Sequence, residues 1–160
     1  MKRCFIYAAA LALVIWSPFG GMDIGKLSPV ETVWMEQRGD GVYLQTETGE
    51  AGCGRNAQEA LENVRSGSSG IVFLETADYL ILKAGCESLL EQLADVLRPS
   101  CMICTANQMP DLQTATAFLS THEPNLTHRQ WQAERCALPH LTEQEGRFTW
   151  RDGAYSQKTV

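Results

Sequence analysis

The chain has 160 residues, the size of one ordinary domain with short appendages, so a large multidomain enzyme is excluded. Hydrophobic residues make up 44% of it and charged residues 20%. These values are close to the globular average, which excludes wholesale disorder and a bundle of membrane helices. The formal net charge of −6 argues against a nucleic-acid platform, so we expect no nucleic-acid partner.

Residues 1–21 are predicted to be a signal peptide or an N-terminal membrane anchor rather than part of the fold. A positively charged start, Met1–Arg3, precedes an uninterrupted apolar run from Cys4 to Trp16. The run is short for a membrane-spanning helix, which needs about 20 apolar residues. Pro18 or Phe19 occupies one of the positions where a signal peptidase favours a small residue. The segment is therefore also compatible with an anchor that is not cleaved.

The first predicted elements are two strands, Val30 to Gln37 and Val42 to Thr48, joined as a β-hairpin by a glycine-containing tip. We interpret the glycine-rich stretch from Gly49 to Arg55 as a loop. Asn56 is then expected to cap a helix, with Glu59 three residues later as in a capping box. The apolar face of this helix has offsets 0, 3, 4 and 7 and consists of Ala57, Ala60, Leu61 and Val64.

A strand, helix and strand series is predicted next. Short apolar runs predict strands at Ile71 to Leu74 and at Tyr79 to Lys83. A helix is expected from Glu87 to about Arg98, where a proline stops it, and a further strand from Cys101 to Thr105. A right-handed crossover is the default for such a series. The buried stripe of the helix is predicted to be Leu89, Leu90, Leu93, Val96 and Leu97.

The signals weaken towards the C-terminus. Asp111 is predicted to cap a third helix that continues to about Leu119. Little core is expected from residues 122–135, and a faint two-strand signal lies at Arg147 to Trp150 and at Ala154 to Tyr155. Together the elements predict an α/β (α+β) fold, a mixed β-sheet of about five strands with two or three helices packed on it, preceded by the export or anchor segment.

Three stretches carry a resemblance to one family. Gly21 to Leu27 follows the export segment, Glu59 to Leu61 lies in the first predicted helix, and Tyr79 to Lys83 precedes a helix that ends at Arg98. In this pattern, residues 22–121 resemble the N-terminal domain of the Ger(x)C family, the C-subunit lipoproteins of spore germinant receptors.

The resemblance implies a non-catalytic, extracytoplasmic, membrane-associated subunit or accessory protein of a spore germinant receptor system. Its partners would be polytopic membrane receptor subunits, and it would need no cofactor. It would be located on the outer face of a membrane, which in this family is the spore inner membrane. Gly21 and Met22 stand where the family has the Cys and Trp of its lipobox region, so lipid anchoring is not implied. The chain also stops where the family's later domains begin, and residues 122–160 are predicted to be a weakly structured extension. No ligand-binding residue is carried over.

Five cysteines lie outside the export segment, and this odd number predicts at least one free thiol. Cys101 and Cys104 have C-x-x-C spacing, but residues three apart on a strand point to opposite faces. We therefore interpret them as small buried apolar residues rather than a redox pair. With Cys136 and His140 they make four residues of zinc-binding type. The alternative function is accordingly an exported thiol or zinc-binding protein using these four residues, or an unrelated exported binding module.

The other ionisable residues show no catalytic pattern, so we expect no enzyme. No nucleophile motif accompanies the acids Glu75, Asp78 and Glu87, which are interpreted as solvated charges. The histidines have no partner at ligand spacing and are predicted to lie on the surface: His122, His128 and His140.

Overall fold

The computed structural model describes residues 27–68 and 71–151, so the predicted export or anchor segment lies outside the described residues. Within them the chain forms nine strands, four α-helices and one 3₁₀ turn at Leu74–Thr76. The strands are β1 (Leu27–Pro29), β2 (Thr32–Arg38), β3 (Gly41–Thr46), β4 (Ala51–Gly54), β5 (Ile71–Phe73), β6 (Tyr79–Lys83), β7 (Met102–Ala106), β8 (His140–Gln144) and β9 (Arg147–Arg151). The helices are α1 (Ala57–Gly67), α2 (Leu89–Gln92), α3 (Leu112–Thr121) and α4 (His128–Glu134).

The centre of the fold is a mixed seven-stranded sheet with the order β4-β3-β2-β6-β7-β8-β9. Four consecutive strands, β2, β6, β7 and β8, are parallel, and the flanking strands β3, β4 and β9 are antiparallel to their neighbours. Strands β1 and β5 form a separate parallel pair. The predicted mixed α/β fold is confirmed, with more strands and helices than the sequence indicated. No helix among the described residues is both long and apolar enough to cross a membrane.

Helices cover both faces of the sheet. We call one the α1 face, because α1, α2 and α4 pack there on inward side chains such as Met35 and Leu82. The other is the α3 face, where α3 packs on side chains such as Trp34 and Ile81. Residues alternate between these faces along each strand, as the two-residue period of a strand requires.

The predicted hairpin of β2 and β3 is confirmed, but the predicted loop from Gly49 to Arg55 is wrong because it contains the edge strand β4. Helix α1 lies directly on the backbone of this strand. A Cβ atom on Gly54 would be 2.3 Å from the Ala60 nitrogen, and one on Gly52 would be 2.5 Å from the Ala60 oxygen. Glycine generally weakens a strand, but it is favoured where another part of the backbone approaches closely. The close approach of α1 therefore explains the glycines at positions 52 and 54.

The predicted start of α1 is confirmed. The Asn56 side chain accepts a hydrogen bond from the Glu59 nitrogen at 2.8 Å. The Glu59 carboxylate accepts from the Arg55 nitrogen at 2.9 Å, one residue before the cap rather than at the cap itself. The predicted apolar face is fully buried against the sheet: Ala57, Ala60, Leu61 and Val64.

The helix predicted from Glu87 to Arg98 is mostly absent, because α2 is a single short helix and the chain beyond it forms turns. These turns are closed by hydrogen bonds between residues three apart in the chain. Leu93 N donates to Leu90 O at 3.2 Å, and Val96 N donates to Leu93 O at 3.0 Å. With three residues per turn, positions 90, 93 and 96 lie on one side. The apolar stripe therefore reaches the core without a continuous helix.

The expectation of little core in residues 122–135 is wrong. Leu126 and Trp131 are buried on the α1 face. Thr127 caps α4 through a full capping box with Gln130, a local signal that was present in the sequence. Strand β8 then pairs with β7 in the central sheet, so the described residues after 121 belong to the same domain and are not a weakly structured extension.

The predicted strand at Arg147 to Trp150 is confirmed as β9, but its partner is β8. The predicted partner, Ala154 to Tyr155, lies outside the described residues. The turn between β8 and β9 contains Glu145 and Gly146, with φ angles of 50° and 73°. Two successive positive φ angles suit the twist of a tight hairpin.

Candidate functional site

The two cysteines of the C-x-x-C segment lie on opposite sides of the sheet, as predicted. Cys101 is buried on the α1 face and Cys104 on the α3 face. Burial raises the pKa of the Cys101 thiol to about 12 and also raises the pKa of the Cys104 thiol. Since the thiolate is the reactive form, neither residue is suited to thiol chemistry at neutral pH.

We expect these two cysteines to contribute packing only. Replacing both with alanine should lower the free energy of unfolding by about 1–3 kcal/mol, because buried volume is lost. In the folded wild-type protein iodoacetamide should modify the exposed Cys53 and spare Cys101 and Cys104. Mass spectrometry of tryptic peptides measures the modification, with urea-unfolded protein as the control. The prediction would be contradicted if the wild-type protein catalysed the reduction of insulin and the double variant did not.

The other two residues of the alternative zinc set lie together, but apart from the first pair. Cys136 and His140 line a cavity of about 360 Å³ before β8. The His140 Nδ1 atom is 3.0 Å from the Thr105 hydroxyl, so the imidazole is held against β7. Among the described residues no group of three or more His, Cys, Asp or Glu side chains could hold a metal ion. The predicted four-residue zinc set is therefore not assembled.

The three acids considered as catalytic candidates do not converge. Each is at least partly exposed and has its own local partner, as expected of solvated charges. The partners are Arg65 for Glu75, Arg98 for Asp78 and the Gly85 backbone nitrogen for Glu87.

The buried acid is instead Glu36 on β2, which the sequence analysis did not single out. Its side chain lies on the α3 face, with Lys83 Nζ 3.1 Å from Oε2 and Arg38 bound to Oε1. Burial raises the pKa of Glu36, but hydrogen bonds and charge from Lys83 and Arg38 outweigh this, so the pKa is lowered overall. The Glu36 carboxylate therefore stays ionised between Lys83 and Arg38. Its ion pair with Lys83 links strand β2 to strand β6. The only signal in the sequence was the Glu36 and Arg38 pair, two residues apart on one strand face.

His128 is not a surface residue, so that prediction is wrong. As the first residue of α4 it is 1% exposed, and its backbone nitrogen donates to the Cys101 oxygen at 2.8 Å. Burial lowers the pKa of His128, and a hydrogen bond with the Leu90 backbone opposes this only in part. The Nε2 atom has no hydrogen-bond partner among the described residues, so a proton added there would be unpaired.

The free energy of unfolding should therefore fall as the pH is lowered from about 7 to about 5.5. The unfolded chain has the usual histidine pKa and binds more protons in this range, which costs up to about 1.4 kcal/mol per pH unit. His128→Gln should flatten the dependence, whereas the matched change His122→Gln at an exposed histidine should leave it unchanged. Urea unfolding at several pH values measures both. An unchanged slope in His128→Gln would assign the titration to another group.

A cluster of aromatic rings lies where α3 meets the edge strand β9, and we call it the aromatic surface. It comprises Phe118, His122, Phe148 and Trp150. The Phe118 and His122 rings stack with centroids 4.6 Å apart. Phe118 also contacts Phe148 and Trp150 with centroid distances of 5.7 and 6.1 Å, and the Trp150 indole donates to the His122 oxygen. Phe118, His122 and Trp150 all keep some exposure to solvent.

Comparison with known proteins gives no relative for this chain: no family model, no curated protein and no solved structure matches it.

Proposed function

We propose that this protein is a non-catalytic, extracytoplasmic, membrane-associated subunit or accessory protein of a spore germinant receptor system. It acts through contacts with polytopic membrane subunits. The proposal starts from the resemblance of residues 22–121 to the Ger(x)C N-terminal domain. Two of the resembling stretches, Glu59 to Leu61 and Tyr79 to Lys83, lie in α1 and β6.

The observation that best supports a role in protein contacts is the aromatic surface. Aromatic side chains are enriched where proteins bind one another, since they bury large areas at low entropic cost. This surface lies beside β9, the last strand of the sheet, whose outer edge has no neighbouring strand among the described residues. Such an edge can add a strand from a partner.

The alternative of an exported thiol or zinc-binding protein has weaker support. The sheet separates Cys101 from Cys104, and their thiols are protonated at neutral pH. Cys136 and His140 together supply two of the four ligands that a structural zinc site uses.

The proposal is tested by tagging the full chain in the native host and purifying it from detergent-solubilised spore membranes. We expect polytopic receptor subunits to co-purify with it, as identified by mass spectrometry. Trp150→Ala should reduce their recovery severalfold, because it removes a ring from the aromatic surface. Thr149→Ala is the matched control, an exposed residue on the other side of the same strand. Recovery of the chain only from the cytosolic fraction, or germination unaffected by deletion of its gene, would refute the proposal.

A further inference from the structure

A second cavity, of about 250 Å³, lies beyond the carboxyl end of β7 and alongside the neighbouring parallel strand β8. Asn107, Gln108 and Pro110 form one wall, from the segment that connects β7 to α3. The hairpin of β8 and β9 forms the other wall. Small ligands usually bind in concave sites of this kind, between wall segments that carry a few polar groups. The cavity is therefore a candidate ligand site, and it shares Phe148 with the aromatic surface.

The charge in this cavity is negative. Glu143 lines it, is exposed, and forms no ion pair within the described part of the chain. Among the described residues no lysine, arginine or histidine lines the cavity, while Asn107 and Gln108 bring amide groups that can both accept and donate hydrogen bonds. This set of groups suits a ligand that donates hydrogen bonds and carries a positive charge.

Apart from the hydroxyl-bearing Thr142, the other lining residues are apolar. Phe148 is the cross-strand neighbour of Glu143, so both side chains lie on the same side of the hairpin, together with Leu141. Met109, between two lining residues, is 39% exposed and is the exposed large hydrophobic side chain of the described residues. These groups favour a ligand with a short apolar body. The volume lies just below the range of about 300–1,000 Å³ for drug-sized sites, so the ligand is small.

We propose that this cavity binds a small alkylammonium ion. The ammonium group donates hydrogen bonds to the Glu143 carboxylate, and the alkyl chain packs against Phe148 and Leu141. Because no cation from the described part of the chain lines the cavity, none of these residues neutralises a ligand carboxylate, and amines bind in preference to amino acids or carboxylic acids. The proposal does not depend on the proposed receptor function.

Saturation-transfer NMR of the full-length chain in a non-ionic detergent tests this, with n-butylammonium as the probe. Saturation should transfer to butylammonium and not to butyrate, and n-butanol should bind more weakly. Glu143→Gln should weaken butylammonium binding on the order of tenfold, because a charge-assisted hydrogen bond is lost. The matched control Glu145→Gln removes the same charge from the hairpin turn, outside the cavity lining, and should leave binding unchanged.

Three results would overturn the proposal. The first is absence of transfer to butylammonium in the wild-type protein. The second is equal binding of butylammonium and butanol, which would mean contact with an apolar surface or the detergent only. The third is equal weakening by Glu143→Gln and Glu145→Gln, which would mean attraction by the net negative charge of the protein. Co-purification with receptor subunits is measured separately, so either proposal can fail without the other.

Discussion

Leu93→Asp should unfold the domain, with a loss in the free energy of unfolding of at least about 4 kcal/mol. Leu93 is 1% exposed and lies in the cluster on the α1 face. The introduced carboxylate would be buried beside apolar side chains such as Leu90, and no lysine or arginine is among the buried residues that the structure describes. Circular dichroism and thermal melting of residues 22–160 measure the effect.

The matched control is Asp95→Ala, two residues further along the same turns at an exposed position, which should melt as the wild type does. The experiment also separates two roles for the leucine stripe. If Leu93→Asp melted like the wild type, the stripe would be a partner-binding surface rather than core.

Gly54→Ala should be the most damaging glycine substitution, lowering the free energy of unfolding by about 3 kcal/mol. The added Cβ would be 2.3 Å from the Ala60 nitrogen and 2.6 Å from the Glu59 carbonyl carbon. Both are backbone atoms of α1, so the whole helix has to move away from β4. No rotation of a side chain can relieve the contact.

Gly67→Ala is the matched control, because no described residue lies within 4 Å of a Cβ at that position and its φ angle is not in the left-handed region. It should change the free energy of unfolding by less than about 1 kcal/mol. Urea unfolding of the two variants beside the wild type gives the comparison. Equal effects of the two changes would mean that α1 does not rest on the backbone of β4.

Part of the candidate chemistry could be predicted from the sequence because it depends on geometry within a few residues. The opposite directions of Cys101 and Cys104 follow from strand alternation alone, which was enough to argue against a redox pair. The burial of His128 and the ion cluster at Glu36 could not be predicted in this way. Each depends on groups far away in the chain, the Leu90 backbone for His128 and Lys83 for Glu36.

The same division holds for the fold. The hairpin of β2 and β3, the caps at Asn56 and Asp111 and the buried strands β6 and β7 could all be predicted from the sequence. Turn residues, caps and periodicity act within a few residues, so no distant contact is needed to predict them. That Ala51–Gly54 is a strand depends on tertiary packing, because its two glycines are required only where α1 packs closely against the strand. Tertiary packing likewise explains why the part of the leucine stripe beyond α2 forms turns and why β8 pairs with β7. In both cases the free energy gained by burying side chains and pairing backbones with distant partners outweighs local preference.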